Sequence, residues 1–149
     1  MKPFTRMMLF VFVVLSIAAC GPTSTVTPIP PVFQGDNPYA PQSIDRDMQR
    51  DSVTIDSSML ALSKSLPPQV LLMFAYFPPT PCHELRVEVS APNAQNQINV
   101  NAYSVVKKDT ACVLMALATP LNASLNLGSF PSGHYSLWLN GASVGEFDS

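Results

Sequence analysis

Glu84-Leu85-Arg86-Val87-Glu88-Val89 alternates a charged and an apolar side chain for six residues. Successive side chains of a strand point to opposite faces, so this order predicts a buried face of Leu85, Val87 and Val89. Glu84, Arg86 and Glu88 then line a wet face and read as a solvated ladder. A catalytic carboxylate pair is the poorer reading, because Arg86 stands between the two acids. The segment is bounded by Pro81-Cys82-His83 on one side and by Pro92-Asn93 on the other, both turn signals.

The same period of two recurs on either side. Downstream, Ile98, Val100 and Ala102 alternate with Asn99, Asn101 and Tyr103, in a strand expected to reach Val106. Leu121, Ala123, Leu125 and Leu127 alternate with Asn122, Ser124 and Asn126. Tyr135, Leu137 and Leu139 alternate with His134, Ser136 and Trp138. Asn140-Gly141 is a hairpin turn pair, and Val144 to Phe147 makes a short closing strand. Cys112 to Leu117 is apolar and reads either as a short strand or as an irregular crossover. Upstream, Val70 to Phe77 is an unbroken apolar run boxed in by prolines 67, 68, 78, 79 and 81. That pattern predicts a strand covered on both faces, or nearly so. Before it, Val53 and Ile55 share one parity and Leu60 and Leu62 share the other. The slip across Ser57-Ser58 predicts a bulge or a strand that changes sheets.

Seven or eight short strands, evenly spaced turns and no convincing helix predict an all-β fold, an antiparallel β-sandwich of immunoglobulin type. Residues 51–149 suffice for one small core of that kind. The stretch Leu127-Gly128-Ser129-Phe130-Pro131-Ser132-Gly133-His134-Tyr135-Ser136-Leu137-Trp138-Leu139-Asn140-Gly141 resembles the closing segment of small bacterial Ig-like envelope domains. Its shared features are the apolar strand, the Pro/Ser/Gly turn, Gly-x-Tyr, the alternating strand and Asn-Gly. That resemblance implies a fold and no activity.

The N-terminus addresses the chain. Lys2 and Arg6 precede an apolar run from Met7 to Leu15, then Ser16 and the stretch Ile17-Ala18-Ala19-Cys20. This is the order of a secretory signal: cationic start, apolar centre, small residues at a processing site. The run is short against the ~20 residues that span a bilayer, so an uncleaved anchor is the weaker alternative. Ile17-Ala18-Ala19-Cys20 resembles the lipobox of bacterial lipoproteins. The resemblance implies cleavage of residues 1–19 by signal peptidase II, acylation of Cys20 and attachment to a membrane of the cell envelope. Gly21, rather than aspartate, implies the outer membrane where there are two. Residues 20–50 carry six prolines among threonines and serines and are expected to form a semi-extended tether that builds no core.

Without residues 1–19, which hold Lys2 and Arg6, six cations face ten acids and the formal charge is −4. Lys107-Lys108 is the only adjacent cation pair in the chain. Phosphate binding requires clustered cations, so no nucleic-acid partner is expected. With Cys20 lipidated, Cys82 and Cys112 form an even pair in an exported protein, which reads as one disulfide. Two buried free thiols are the alternative. Paired cysteines at these places also resemble those of the envelope lipoproteins. A zinc site is disfavoured: His83 adjoins Cys82, but Cys112 has no ligand near it and His134 is alone in its strand.

No catalytic set emerges. Ser104-Val105-Val106-Lys107 matches Ser-x-x-Lys, but that chemistry needs a helix, and a strand sends the two side chains to opposite faces. His83 reads as a loop histidine beside the disulfide. No cofactor and no metal are expected. The function expected is a non-enzymatic binding or structural module, its partner an envelope protein or a glycan, with Trp138 and His134 as possible binding residues. The alternative is an envelope-side inhibitor of a hydrolase that presents the turn at Asn93 to Gln97 or at Gly128 to Gly133.

Overall fold

The central strand of one sheet is β3, Val70–Phe77. It lies between two neighbours and carries Val70, Leu72, Phe74 and Tyr76 into the core on alternate residues. The computed structural model describes residues 35–113 and 119–149. The signal segment, Cys20 and the first part of the tether lie outside the described residues, as does most of the apolar Cys112 to Leu117 stretch. Among the described residues eight strands follow one 3₁₀ turn at Ser43–Asp47: β1 Met48–Ser52, β2 Thr54–Leu62, β3 Val70–Phe77, β4 Glu84–Val89, β5 Gln97–Lys107, β6 Leu121–Gly128, β7 His134–Leu139 and β8 Ala142–Asp148. They form two sheets, one of β2, β3 and β6, the other of β1, β4, β5, β7 and β8.

The core fills the gap between the sheets. Leu72 and Leu125 from the first meet Val87, Ile98 and Leu137 from the second, and all five are sealed from solvent. Val87, Ile98, Leu125 and Leu137 come from alternating segments whose inward parity was legible in the sequence, whereas Leu72 comes from the unbroken apolar run of β3. Val53, also buried, marks where the chain leaves the second sheet as β1 and enters the first as β2. The pairing of β2 with β3 then shifts between Ile55 and Ser57. The parity slip thus corresponds to the bulge, while the change of sheet lies upstream of it at Val53. Leu62 runs past the core and is exposed.

Two features depart from expectation. The first concerns β3. Its inner face is buried, but on the outer face Leu71 and Met73 are half-exposed. Their cross-strand neighbours Met59, Ala61, Ser124 and Asn126 continue that face, and no layer of the described residues covers it. The second concerns β5, which runs beside β7 in parallel, whereas the other strand pairs are antiparallel. The chain from β5 visits the first sheet as β6 before returning as β7, and such a crossover permits a parallel pair.

One edge of β5 is shared. β7 pairs with Gln97–Val100 and β1 with Tyr103–Lys107. Between them the side-chain amide of Asn140 takes the place of a strand: Oδ1 accepts from Ala102 N at 2.7 Å and Nδ2 donates to Ala102 O at 2.9 Å. Asn140 holds φ at 49° and Gly141 at 84°, the left-handed pair that a tight hairpin requires. At the other end of β7 the Tyr135 hydroxyl donates to Pro131 O at 3.0 Å, the tyrosine corner of immunoglobulin-like sandwiches. The ring packs on Phe130 and Phe147. A Cβ on Gly133 would meet that ring at 3.3 Å, which accounts for Gly-x-Tyr.

The domain takes in more chain than residues 51–149. Asp36 bridges to Asn126 on the edge of β6. Three residues later Tyr39 O accepts from Val87 N at 2.8 Å, and Asn37 Nδ2 donates to Val87 O, on the edge of β4. Residues 36–39 therefore strap the two sheets together along one side and cover two edges that would otherwise offer unpaired backbone. A Cβ on Gly35 would overlap the backbone of Asn126, so the strap enters through a position only glycine fits. Proline-rich composition pointed to a tether here. The strap packs Tyr39 against the core and otherwise holds by backbone and amide hydrogen bonds, which hydrophobic periodicity does not reveal.

Candidate functional site

The outer face of the second sheet carries the polar halves of four alternating strands. The parallel register sets Asn99 beside Trp138 and Gln97 beside Ser136, so these four side chains share the solvent face. Across β7, Ser136 faces Glu146, His134 faces Asp148 and Trp138 faces Ser143. On the far side of β5, Asn101 faces Glu88. The result is a platform of amides, hydroxyls and carboxylates with one indole in it. Trp138 is half-buried, and its Nε1 lies 3.4 Å from Ser136 Oγ, a long contact that leaves the indole edge weakly held.

His134 lies at one end of the platform, well exposed. Its Nδ1 is 2.7 Å from Asp148 Oδ1 and its Nε2 is 3.3 Å from Glu146 Oε2. The hydrogen bond to Asp148 raises the imidazole pKa above its ordinary value. Toward the other end, Arg50 lies flat over the Tyr103 ring, its guanidinium carbon 3.3 Å from the centroid, and pairs with Glu88 at 3.3 Å. Burial opposes ionisation of Glu88, but hydrogen bonds from Tyr103 and Arg50 outweigh it and lower the pKa. Burial and the bond to Glu88 together raise that of Tyr103. The Glu88 end thus keeps its carboxylate charged near neutral pH.

Arg86 corrects the solvated ladder. It shares the outer face with Glu84 and Glu88, yet it is buried, because the 3₁₀ turn lies over it. Its Nε donates to Asp45 Oδ2 at 2.8 Å, one terminal nitrogen to Glu84 at 2.9 Å and the other to Leu85 O at 2.9 Å. Asp45 also accepts from Gln42 N at 2.7 Å, capping the turn. The hydrogen bond from Arg86 holds Asp45 below the usual carboxylate range. Periodicity identified the face but not the 3₁₀ turn that covers it.

Cys82 and Cys112 are joined by a disulfide. The loop histidine beside it is not loose: His83 is buried and bridges Thr80 and Asp51. Thr80 and Asp51 went unnoticed in the sequence, since they lie on separate segments with no motif between them. Ser104 is sealed inside β5 with its hydroxyl on Asp51 O, and Lys107 is exposed, so the Ser-x-x-Lys match brings no pair together. Among the described residues no three metal-ligating side chains converge. A shallow groove of about 400 Å³ opens on the outer face of the three-stranded sheet, lined by Ser57, Met59, Met73 and Asn122 among others, and holds no titratable group.

Two inner faces on a shared core, the tyrosine corner and the Asn-Gly hairpin define a β-sandwich, and the ORF11 beta-sandwich domain matches residues 75–149, half of the chain. The chain belongs to that family. The match begins at Ala75 in β3 and runs through β8, so it contains the Trp138 platform apart from Arg50, together with the disulfide and Arg86. The strap, β1 and β2 precede it. The ORF11 description names a fold and no activity. No curated protein and no solved structure matches the chain.

Proposed function

We propose that this chain is a lipid-anchored protein of the bacterial cell envelope whose ORF11 β-sandwich is a binding module with no reaction of its own. The observation that carries the binding role is the half-open indole of Trp138, set between Asn99 and Ser143 on an otherwise polar face. Tryptophan is enriched at binding hot spots, and an indole offers a flat apolar surface beside groups that hydrogen-bond. Asn99, Gln97 and Ser136 supply donors and acceptors suited to hydroxyls, while the indole suits the C–H face of a sugar ring. This chemistry favours a glycan of the envelope over a nucleic acid, since Glu88, Glu146 and Asp148 line the same platform. Anchoring rests on Ile17-Ala18-Ala19-Cys20 and on the proline-rich segment after it, which allows the platform to stand off the membrane.

The full chain, isolated with its N-terminus intact, is to be incubated with envelope polysaccharide. Retention of the parent and its loss in Trp138→Ala, with stability preserved, is the expected outcome. Equal retention of both removes the platform from the function. Labelled fatty acid should enter the parent chain and not Cys20→Ala; labelling of that variant sinks the anchor.

One observation favours the inhibitor reading. Because β5 and β7 run parallel, the turn before each, Asn93 to Gln97 and Gly128 to Gly133, lies at the same end of the sandwich. Two adjacent turns make a plausible wedge for an active-site cleft. Recovery of a hydrolase from envelope extract, lost when Gly128 to Gly133 is replaced, would select that reading.

A further inference from the structure

The two sulfurs of the disulfide have unequal surroundings. Cys82 is exposed and Cys112 is half-buried. The Thr80 hydroxyl, itself buried, lies 3.0 Å from Cys112 Sγ and 2.8 Å from His83 Nδ1. His83 Nε2 lies 3.0 Å from Asp51 Oδ2. The Asp51 carboxylate only accepts, so Nε2 carries a hydrogen. A disulfide sulfur has no hydrogen, so on the Thr80–Cys112 contact the hydroxyl is the donor. A neutral His83 competes for that hydrogen through its Nδ1 lone pair. A protonated His83 instead donates to the Thr80 oxygen and leaves the hydroxyl hydrogen to the sulfur. Among the described residues no side chain hydrogen-bonds Cys82 Sγ in this way. The chain Asp51–His83–Thr80 thus ends on one sulfur of the pair.

We propose that Cys82–Cys112 is a thiol–disulfide exchange site with a fixed direction, its co-reactant a thiolate. The incoming thiolate attacks Sγ of Cys82, the exposed residue of the pair, and forms a mixed disulfide there. The Cys82–Cys112 bond breaks, and Cys112 leaves with the bonding electron pair as a thiolate. That charge accepts the Thr80 hydrogen bond, and an imidazole that donates to the Thr80 oxygen leaves that hydrogen to the sulfur. A second thiolate attacking the mixed disulfide releases a small disulfide and a Cys82 thiolate; two thiols are oxidised and one protein disulfide is reduced. Exchange is faster when the leaving thiolate is stabilised and the attacked cysteine is accessible; here the Thr80 hydroxyl serves Cys112 and the exposed residue is Cys82. The bond so opened ties the β3–β4 connection to the segment after β5.

The test uses the full chain in its folded state with reduced glutathione as the probe, acid quenching, alkylation by iodoacetamide and peptide mapping. The expected product carries glutathione on Cys82 and the alkyl group on Cys112, in roughly tenfold excess over the reverse. Thr80→Val should slow the reaction about tenfold and erase the preference, while Thr80→Ser keeps both. A merely structural role for Thr80 predicts the opposite, since loosened packing exposes both sulfurs and speeds their reaction. Should Thr80→Val fail to fold, His83→Asn reports on the same relay and is expected to react several-fold more slowly than the parent. Glutathione found mainly on Cys112, or variants that react as fast and as selectively as the parent, would overturn the proposal.

Discussion

Asp45→Ala tests whether the chain before β1 belongs to the folding unit. The carboxylate accepts from Arg86 Nε at 2.8 Å and from Gln42 N at 2.7 Å, and its side chain is 11% exposed against 6% for Arg86. Removing one partner of an enclosed ion pair costs about 3–5 kcal/mol. Arg86 keeps Leu85 O and Glu84, so the remaining charge is not orphaned, and the expected loss is about 2–3 kcal/mol, which includes the lost cap. Urea unfolding followed by far-ultraviolet circular dichroism at pH 7 measures it, with an unchanged slope as the sign that only stability moved. The pH dependence gives an independent reading. The folded pKa of Asp45 lies below its unfolded value, so its contribution is fully present above about pH 5 and is lost as pH falls through the folded pKa. The variant should lose less stability than the parent on acidification from pH 5 to pH 3. A loss under about 0.5 kcal/mol at pH 7, with an unaltered acid response, would make the 3₁₀ turn a surface appendage outside the folding unit.

Tyr135→Phe removes the hydroxyl from Pro131 O and should cost about 1 kcal/mol; an unchanged urea midpoint would show the corner to be idle. Replacing both Cys82 and Cys112 by serine opens a loop between residues 30 apart, with an expected loss of roughly 3–4 kcal/mol by loop-closure entropy, read from the same unfolding curves. The His134 ring, followed by nuclear magnetic resonance, should titrate above the ordinary histidine range and move down in Asp148→Asn; its small contribution to stability is present at low pH and fades as pH rises through the folded pKa. Emission from Trp138 should be quenched by iodide, and Trp138→Ala should shift stability by less than about 1 kcal/mol; a blue, unquenchable signal contradicts an outward indole.

The platform shows how far periodicity reaches. Tyr135, Leu137 and Leu139 alternate with His134, Ser136 and Trp138, and that alternation alone assigns Trp138 to the wet face of its strand. It says nothing of Asn99, because a parallel register between β5 and β7 joins residues 39 apart in the chain. Asn140 is divided in the same manner. Asn-Gly announces a hairpin by its backbone preference, but the amide that fills the gap beside Ala102 is visible only once β1 and β7 share an edge of β5. The Glu84–Glu88 ladder misled because alternation reports which side a residue points to, not what the remainder of the chain lays over that side.

Local sequence sets the all-β class, the inward set of each alternating strand, the bulge before Met59 and the cysteine pair. All of these follow from local rules: the period of two, the turn preferences of proline, glycine and asparagine, and a count of cysteines. The strap over the two edges, the buried Arg86–Asp45 pair, the Asp51–His83–Thr80 chain and the composition of the Trp138 platform were decided only by tertiary structure. Each joins segments far apart in the chain through hydrogen bonds or charge, and such contacts leave no period in the sequence because their partners are chosen by where the strands come to lie.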